Sequence, residues 1–143
     1  MQRRIIRDSA FKILFELLLR DDSVEELYAI AADIEDFVIN DAVKEMVNGT
    51  LAHMDEIDGI IGSYSKSREI NRIPAVNRTI LRIALYEILY DDKTPRGAAI
   101  NEAVLLAKEY GYEADVSFVN GVLGAYDKDH PDTDAAAGES DAT

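Results

Sequence analysis

Apolar residues recur at intervals of three and four over most of this chain, and no stretch alternates apolar with polar residues in a β-branched run, so it reads as helices throughout. Proline, which breaks helix interiors, stands only at Pro74, Pro95 and Pro131. The first predicted helix covers residues 3–20, with Ile6, Ala10, Ile13, Leu14 and Leu17 on one buried stripe. Ser23 and Glu26 have the form of a capping box and open a short second helix through Leu27, Ile30 and Ala31. A third begins near Asn40 or Asp41 and continues to about Gly62, the longest of the fold. Pro74, tolerated in a first turn, precedes a fourth over 76–90, whose Ile80, Leu81, Ala84, Leu85 and Ile88 form a face wide enough to be central. A fifth, over 98–110, ends at Gly111 in the left-handed conformation, and a sixth over 114–126 completes the domain.

At 143 residues and 48% hydrophobic content, the chain can bury one core without metals or disulfides. Residues 1–126 are expected to form that domain. Residues 127–143 lack aromatic and large aliphatic side chains and so bury too little to offset ordering costs of about 1–2 kcal/mol per residue, and their charges are mostly acidic, so a disordered acidic tail is expected. The absence of cysteine excludes disulfides, thiolate zinc sites and thiol catalysis, and agrees with a cytoplasmic protein. The basic, apolar start is interrupted by Asp8, Lys12, Glu16 and Arg20, which argues against a signal peptide, a transmembrane span or any membrane role. Of His53, Asp55, Glu56 and Asp58 only His53 and Glu56 share a helical face, and no second histidine completes a set. No metal or cofactor is therefore expected. Nor is catalysis, since no histidine-based acid and base pair or phosphate-cradling glycine loop is present.

A net charge of −13 at first opposes binding to nucleic acid, where affinity comes from cations displacing counterions. The distribution softens that objection. Arg3, Arg4, Arg7 and Lys12 cluster at the start, and Lys66, Arg68, Arg72, Arg78, Arg82, Lys93 and Arg96 populate the middle, while acids crowd residues 21–58 and the tail. A polarised surface can offer basic elements to RNA and acidic ones to a basic protein; the plainer alternative is that these charges solvate helix faces. Guanidinium forks suit a phosphate backbone. Cations at a helix N-terminus oppose the macrodipole by about 0.3–1 kcal/mol each, so the arginines imply an offsetting role. Phe15, Tyr64, Tyr86 and Phe118 are candidates for stacking on unpaired bases, with Tyr86 better read as core and Phe118, beside Asn120, open to either role. Asn101 and Glu102 read as a cap and dipole partner of the fifth helix, Arg78 and Arg82 with Glu87 as ties between helix bundles, and Gly121 and Gly124 as sites of close helix packing.

Three blocks occur in order: RIPAVNRTILRIALYEIL from Arg72, AINEAVLLAK from Ala99 and FVNGVL from Phe118. Together with Arg3, Arg4, Arg7, Ala10, Leu14 and Phe15 at the start, they resemble the NusB family over about residues 3–126. The resemblance implies an all-α domain of two packed three-helix bundles, without catalysis, that binds the boxA element of nascent ribosomal-operon RNA. It implies ribosomal protein S10 (NusE) and the transcription elongation complex as partners. On this reading Arg3, Arg4, Arg7, Lys12, Phe118 and Asn120 touch RNA, and Glu87, Asp91 and Asp92 face the protein partner. Arg68 stands where the family often has an aromatic, Asn71 and Asn77 where Asp is frequent, and Lys12 where Gln is common. Two alternatives stay open: an RNA-targeting module related to ribosomal RNA cytosine methyltransferases, and an acidic helical interaction domain without RNA binding. A homodimer also stays open, because a face buried by a second copy and one buried by a partner have the same pattern.

Overall fold

The helix whose face is expected to be central proves to be buried on almost every side. In the computed structural model, which describes residues 2–34, 37–65 and 69–131, seven α-helices and one 3₁₀ turn (Ile70–Arg72) account for the regular structure. They are α1 (Arg3–Leu19), α2 (Val24–Ala31), α3 (Asp41–Ala52), α4 (Met54–Tyr64), α5 (Ala75–Tyr90), α6 (Arg96–Tyr110) and α7 (Glu113–Asp129). Helix α5 packs against α1, α3, α4, α6 and α7. Every α5 residue from Thr79 to Glu87 is buried, Arg82 and Glu87 included, so the expected stripe has become a buried cylinder at the junction of two groups. On one side α1 packs with α2 and α3; on the other α7 packs with α4 and α6.

The stripe of α1 is buried at Ile6, Ala10, Ile13 and Leu14, joined by Phe11, while Leu17, expected on it, is only half-buried against the core near the end of the helix. The capping box forms: Ser23 Oγ accepts from the Glu26 amide at 3.1 Å, and the Glu26 carboxylate accepts from the Ser23 amide at 2.9 Å. Asn40 caps α3 by accepting from the Val43 amide at 2.9 Å.

The expected long third helix is two helices. His53, at φ −111° and ψ 19°, ends α3 and begins α4, so the six expected helices become seven. Both halves keep the same periodicity because each buries a stripe, α3 against α1 and α5, and α4 against α5 and α7. The corner is held by the His53 ring, stacked on Tyr90 at 3.8 Å.

Two glycine expectations are corrected. Gly111 ends α6 with φ −120° and ψ −168°, extended rather than left-handed. Its role is space: a Cβ there would lie 2.8 Å from an Asp115 carboxylate oxygen, and that carboxylate accepts from the Tyr112 amide at 2.7 Å at the start of α7. Gly121 and Gly124 are exposed, with no other helix within 4 Å of where a Cβ would stand, so neither mediates close packing. Close approach occurs instead at Gly49, where a Cβ would overlap the Tyr86 ring as α3 crosses α5. Helix α7 continues to Asp129, three residues beyond the expected end of the domain, with Tyr126 buried beneath it. The remainder of the expected tail, 132–143, lies outside the described residues, as do Lys66 and Arg68. No helix among the described residues is long and apolar enough to cross a membrane.

Candidate nucleic-acid interface

The start of α1 lies in the seam between the end of α5, the loop 91–95 and the first half of α6. There three arginines meet three carboxylates. Arg7 donates from Nε and Nη2 to the two oxygens of Glu87 at 2.6 and 2.7 Å, and both side chains are buried, at 4% and 0% exposure. Arg3 bonds Asp91 and reaches Glu87 at 3.4 Å. Arg4 donates from Nε and Nη2 to Glu102 at 3.0 and 2.8 Å, while Arg7 adds a third contact to Glu102 from Nη1 at 3.3 Å. Such two-pronged pairs use the planar fork of guanidinium, which a lysine could not supply.

The electrostatics follow from burial and pairing. Burial acts to lower the Arg7 pKa, but hydrogen bonds and charge from Glu87, with Glu102 and Asp91, outweigh it and hold the pKa above the ordinary arginine value. The Arg4 hydrogen bonds hold Glu102 below the usual glutamate range against a partial desolvation penalty. The unfavourable placement of cations at the N-terminus of α1 is thus offset within the fold by these carboxylates.

These contacts correct several expectations. Glu87 cannot face a partner, because it is fully buried against Arg7. Arg7 is equally inaccessible to a phosphate. Asp91 is 11% exposed at its side chain and occupied by Arg3, the Lys93 amide and Thr94. Asp92 is exposed in the same loop. Asn101 does not cap a helix, since α6 begins at Arg96 behind Pro95, and Glu102 serves the arginines instead of the helix dipole. The tie expected of Arg82 exists but leads elsewhere: Arg82 holds Asp58 of α4 with two bonds of 2.8 Å.

What remains outward at the seam is Arg4, with 70% of its side chain exposed, and the outer side of Arg3 at 36%. With Gln2, Lys93, Thr94 and Ala98 they line an open groove of about 390 Å³. Asn120 falls in a second groove of about 400 Å³ between α6 and α7, with Asn101, Lys108 and Ser117. The two grooves flank α6, since Ala98 and Glu102 sit on one stripe of that helix and Asn101 and Lys108 on the next. Phe118 is half-buried and packs against the core. Lys12 bonds Asp8 at 3.1 Å and lies 5.6 Å from the centre of the Phe37 ring. Phe15 stacks on Phe11, and Tyr64 donates to Asp129 at 2.8 Å. Sequence reasoning missed the role of Glu102; the one available signal was its place in the AINEAVLLAK block.

A model of the NusB family matches residues 4–128. The chain belongs to the NusB family. A NusB transcription antitermination protein from Acetivibrio thermocellus is 41% identical over 128 residues, covering 87% of each chain. That of Ruminiclostridium cellulolyticum is 35% identical, with 99% of both chains covered. Among solved structures, a crystal form of T. maritima NusB is similar with a TM-score of 0.80, 30% identity and 94% of this chain and 96% of that one covered. A crystal structure of antitermination factors NusB and NusE in complex with dsRNA is similar with a TM-score of 0.78 and 31% identity, over 90% of this chain and 97% of that one. Within this NusB-family chain the amide expected to stand out at position 77 has a direct structural partner. Asn77, 1% exposed, donates to Asp115 at 3.0 Å, where an aspartate would set two carboxylates against each other.

Proposed function

We propose that this chain is a non-catalytic transcription antitermination factor that binds boxA-type single-stranded RNA of ribosomal operons together with NusE. Family membership over nearly the whole domain carries the reading, since the relatives bear the antitermination name and one structural neighbour holds NusE and RNA. The grooves on either side of α6 support it from the residues upward. Arg3, Arg4 and Lys93 give one groove cationic contacts for phosphates, and Asn101, Ser117 and Asn120 give the other neutral donors and acceptors for base edges. A single strand laid across the first half of α6 would use both. We assign NusE to a surface outside Glu87, with Asp92 as its remaining acidic candidate, and the elongation complex as the assembly they join in the cytoplasm.

The test is titration of labelled boxA-type RNA, scrambled RNA and a duplex, with and without NusE, at two salt concentrations. Selective binding of the single strand that strengthens with NusE and weakens with salt is expected. The variant to compare is Arg3→Ala with Arg4→Ala, leaving Arg7 intact because it holds the fold. Unchanged affinity in that variant would remove the seam from the interface. Absence of RNA binding throughout would favour the acidic interaction domain.

A further inference from the structure

Resting on the RNA reading above, we propose that Glu102 is a built-in competitor of RNA: its carboxylate occupies the edge of Arg4 that a phosphate would take, and so sets the affinity threshold of the interface. The observation is that the most exposed arginine of the seam is not waiting in solvent. Arg4 commits Nε and Nη2, the paired donors of its fork, to Glu102 at 3.0 and 2.8 Å. A phosphate presents two oxygens at similar spacing and would have to displace that carboxylate to gain the same two bonds. The geometry keeps the barrier to that exchange low. Glu102 retains the contact from Arg7 Nη1 at 3.3 Å when Arg4 leaves, so no charge is stranded, and Arg7 itself stays anchored by Glu87. Arg4, 70% exposed, has room to turn into the groove with Lys93 and Thr94. The chain thereby keeps a cationic contact that is silent toward stray anions and opens only to a ligand holding other parts of the surface as well.

The experiment measures the affinity of the full chain for labelled boxA-type single-stranded RNA at fixed salt, for wild type, Glu102→Gln, Arg4→Ala, the double variant, and Glu109→Gln as a control for general charge on the same helix. Glu102→Gln should bind more tightly, by about two- to fivefold, the scale on which one exposed ion pair acts. Glu102→Asp, whose shorter side chain draws the carboxylate back from Arg4, should gain in the same direction and guards against a folding defect in the first variant. The gain must vanish in the Arg4→Ala background. Weaker binding by Glu102→Gln, or an equal gain with Arg4 absent or in Glu109→Gln, would overturn the proposal while leaving the RNA reading in place. No binding by any of the proteins would overturn both.

Discussion

Replacing Arg7 by alanine should be the most damaging single change at the seam, and it should act on stability before it acts on RNA. Glu87 is fully buried, and Arg7 gives it two bonds of 2.6 and 2.7 Å from a side chain that is itself 4% exposed. Removing one partner of such a pair leaves the other charge uncompensated, which costs about 3–5 kcal/mol. Arg3, 3.4 Å from Glu87 and 36% exposed, recovers part of this and places the loss toward the lower end. For a domain of this size the fall in Tm is about 10–15 °C. Arg4→Ala removes a pair that is open to water and should leave Tm unmoved. Glu87→Gln, which keeps the shape, should cost less than Arg7→Ala because it leaves no buried carboxylate. The assay is thermal unfolding of the three variants followed by circular dichroism. Equal Tm for Arg7→Ala and wild type, or an equal loss in Arg4→Ala, would refute the separation of an architectural arginine from an interfacial one.

Gly49→Ala should destabilise by about 1–3 kcal/mol, read by urea unfolding, because the new methyl would overlap the buried Tyr86 ring. Gly124→Ala, in an exposed turn of α7 with open space around it, should stabilise by about 0.5–1 kcal/mol in the same assay. Asn77→Asp should lower stability by about 2 kcal/mol or more at neutral pH, since it buries a second carboxylate against Asp115, and the loss should shrink as acid protonates the pair. Alkaline titration supplies a further check. Burial, with the charge of Glu25, pushes the Tyr28 hydroxyl up to about 12, so the folded state holds its proton more tightly than the unfolded state. That contribution is fully present below the unfolded tyrosine pKa of about 10 and is lost as pH rises toward 12, so stability should fall across this window. Tyr28→Phe should flatten the fall.

Local chemistry made much of the fold legible. The α1 stripe, the Ser23 capping box and Pro74 before α5 each depend on residues within a turn of one another, and all form as the spacing requires. The break at His53 was not legible, because two short helices burying successive stripes leave the same three-and-four pattern as one long helix. Gly111 misled for a related reason: glycine commonly ends helices by a left-handed turn, yet here it makes room for a side chain four residues on.

The candidate site divides along the same line. Its basic and acidic residues are visible in the sequence, and the family blocks point to RNA and NusE. Which cations remain available is another matter. Arg7 and Glu87 are 80 positions apart, and Arg4 and Glu102 are 98 apart. The sequence by itself determined an all-helical domain, the starts of most of its helices and its family, because those rest on contacts between near neighbours and on short motifs. Only the tertiary structure decided that one arginine is buried, one is outward and one acid stands guard beside it, because pairing energy depends on distance and burial, and both arise when α1 is laid across α5 and α6.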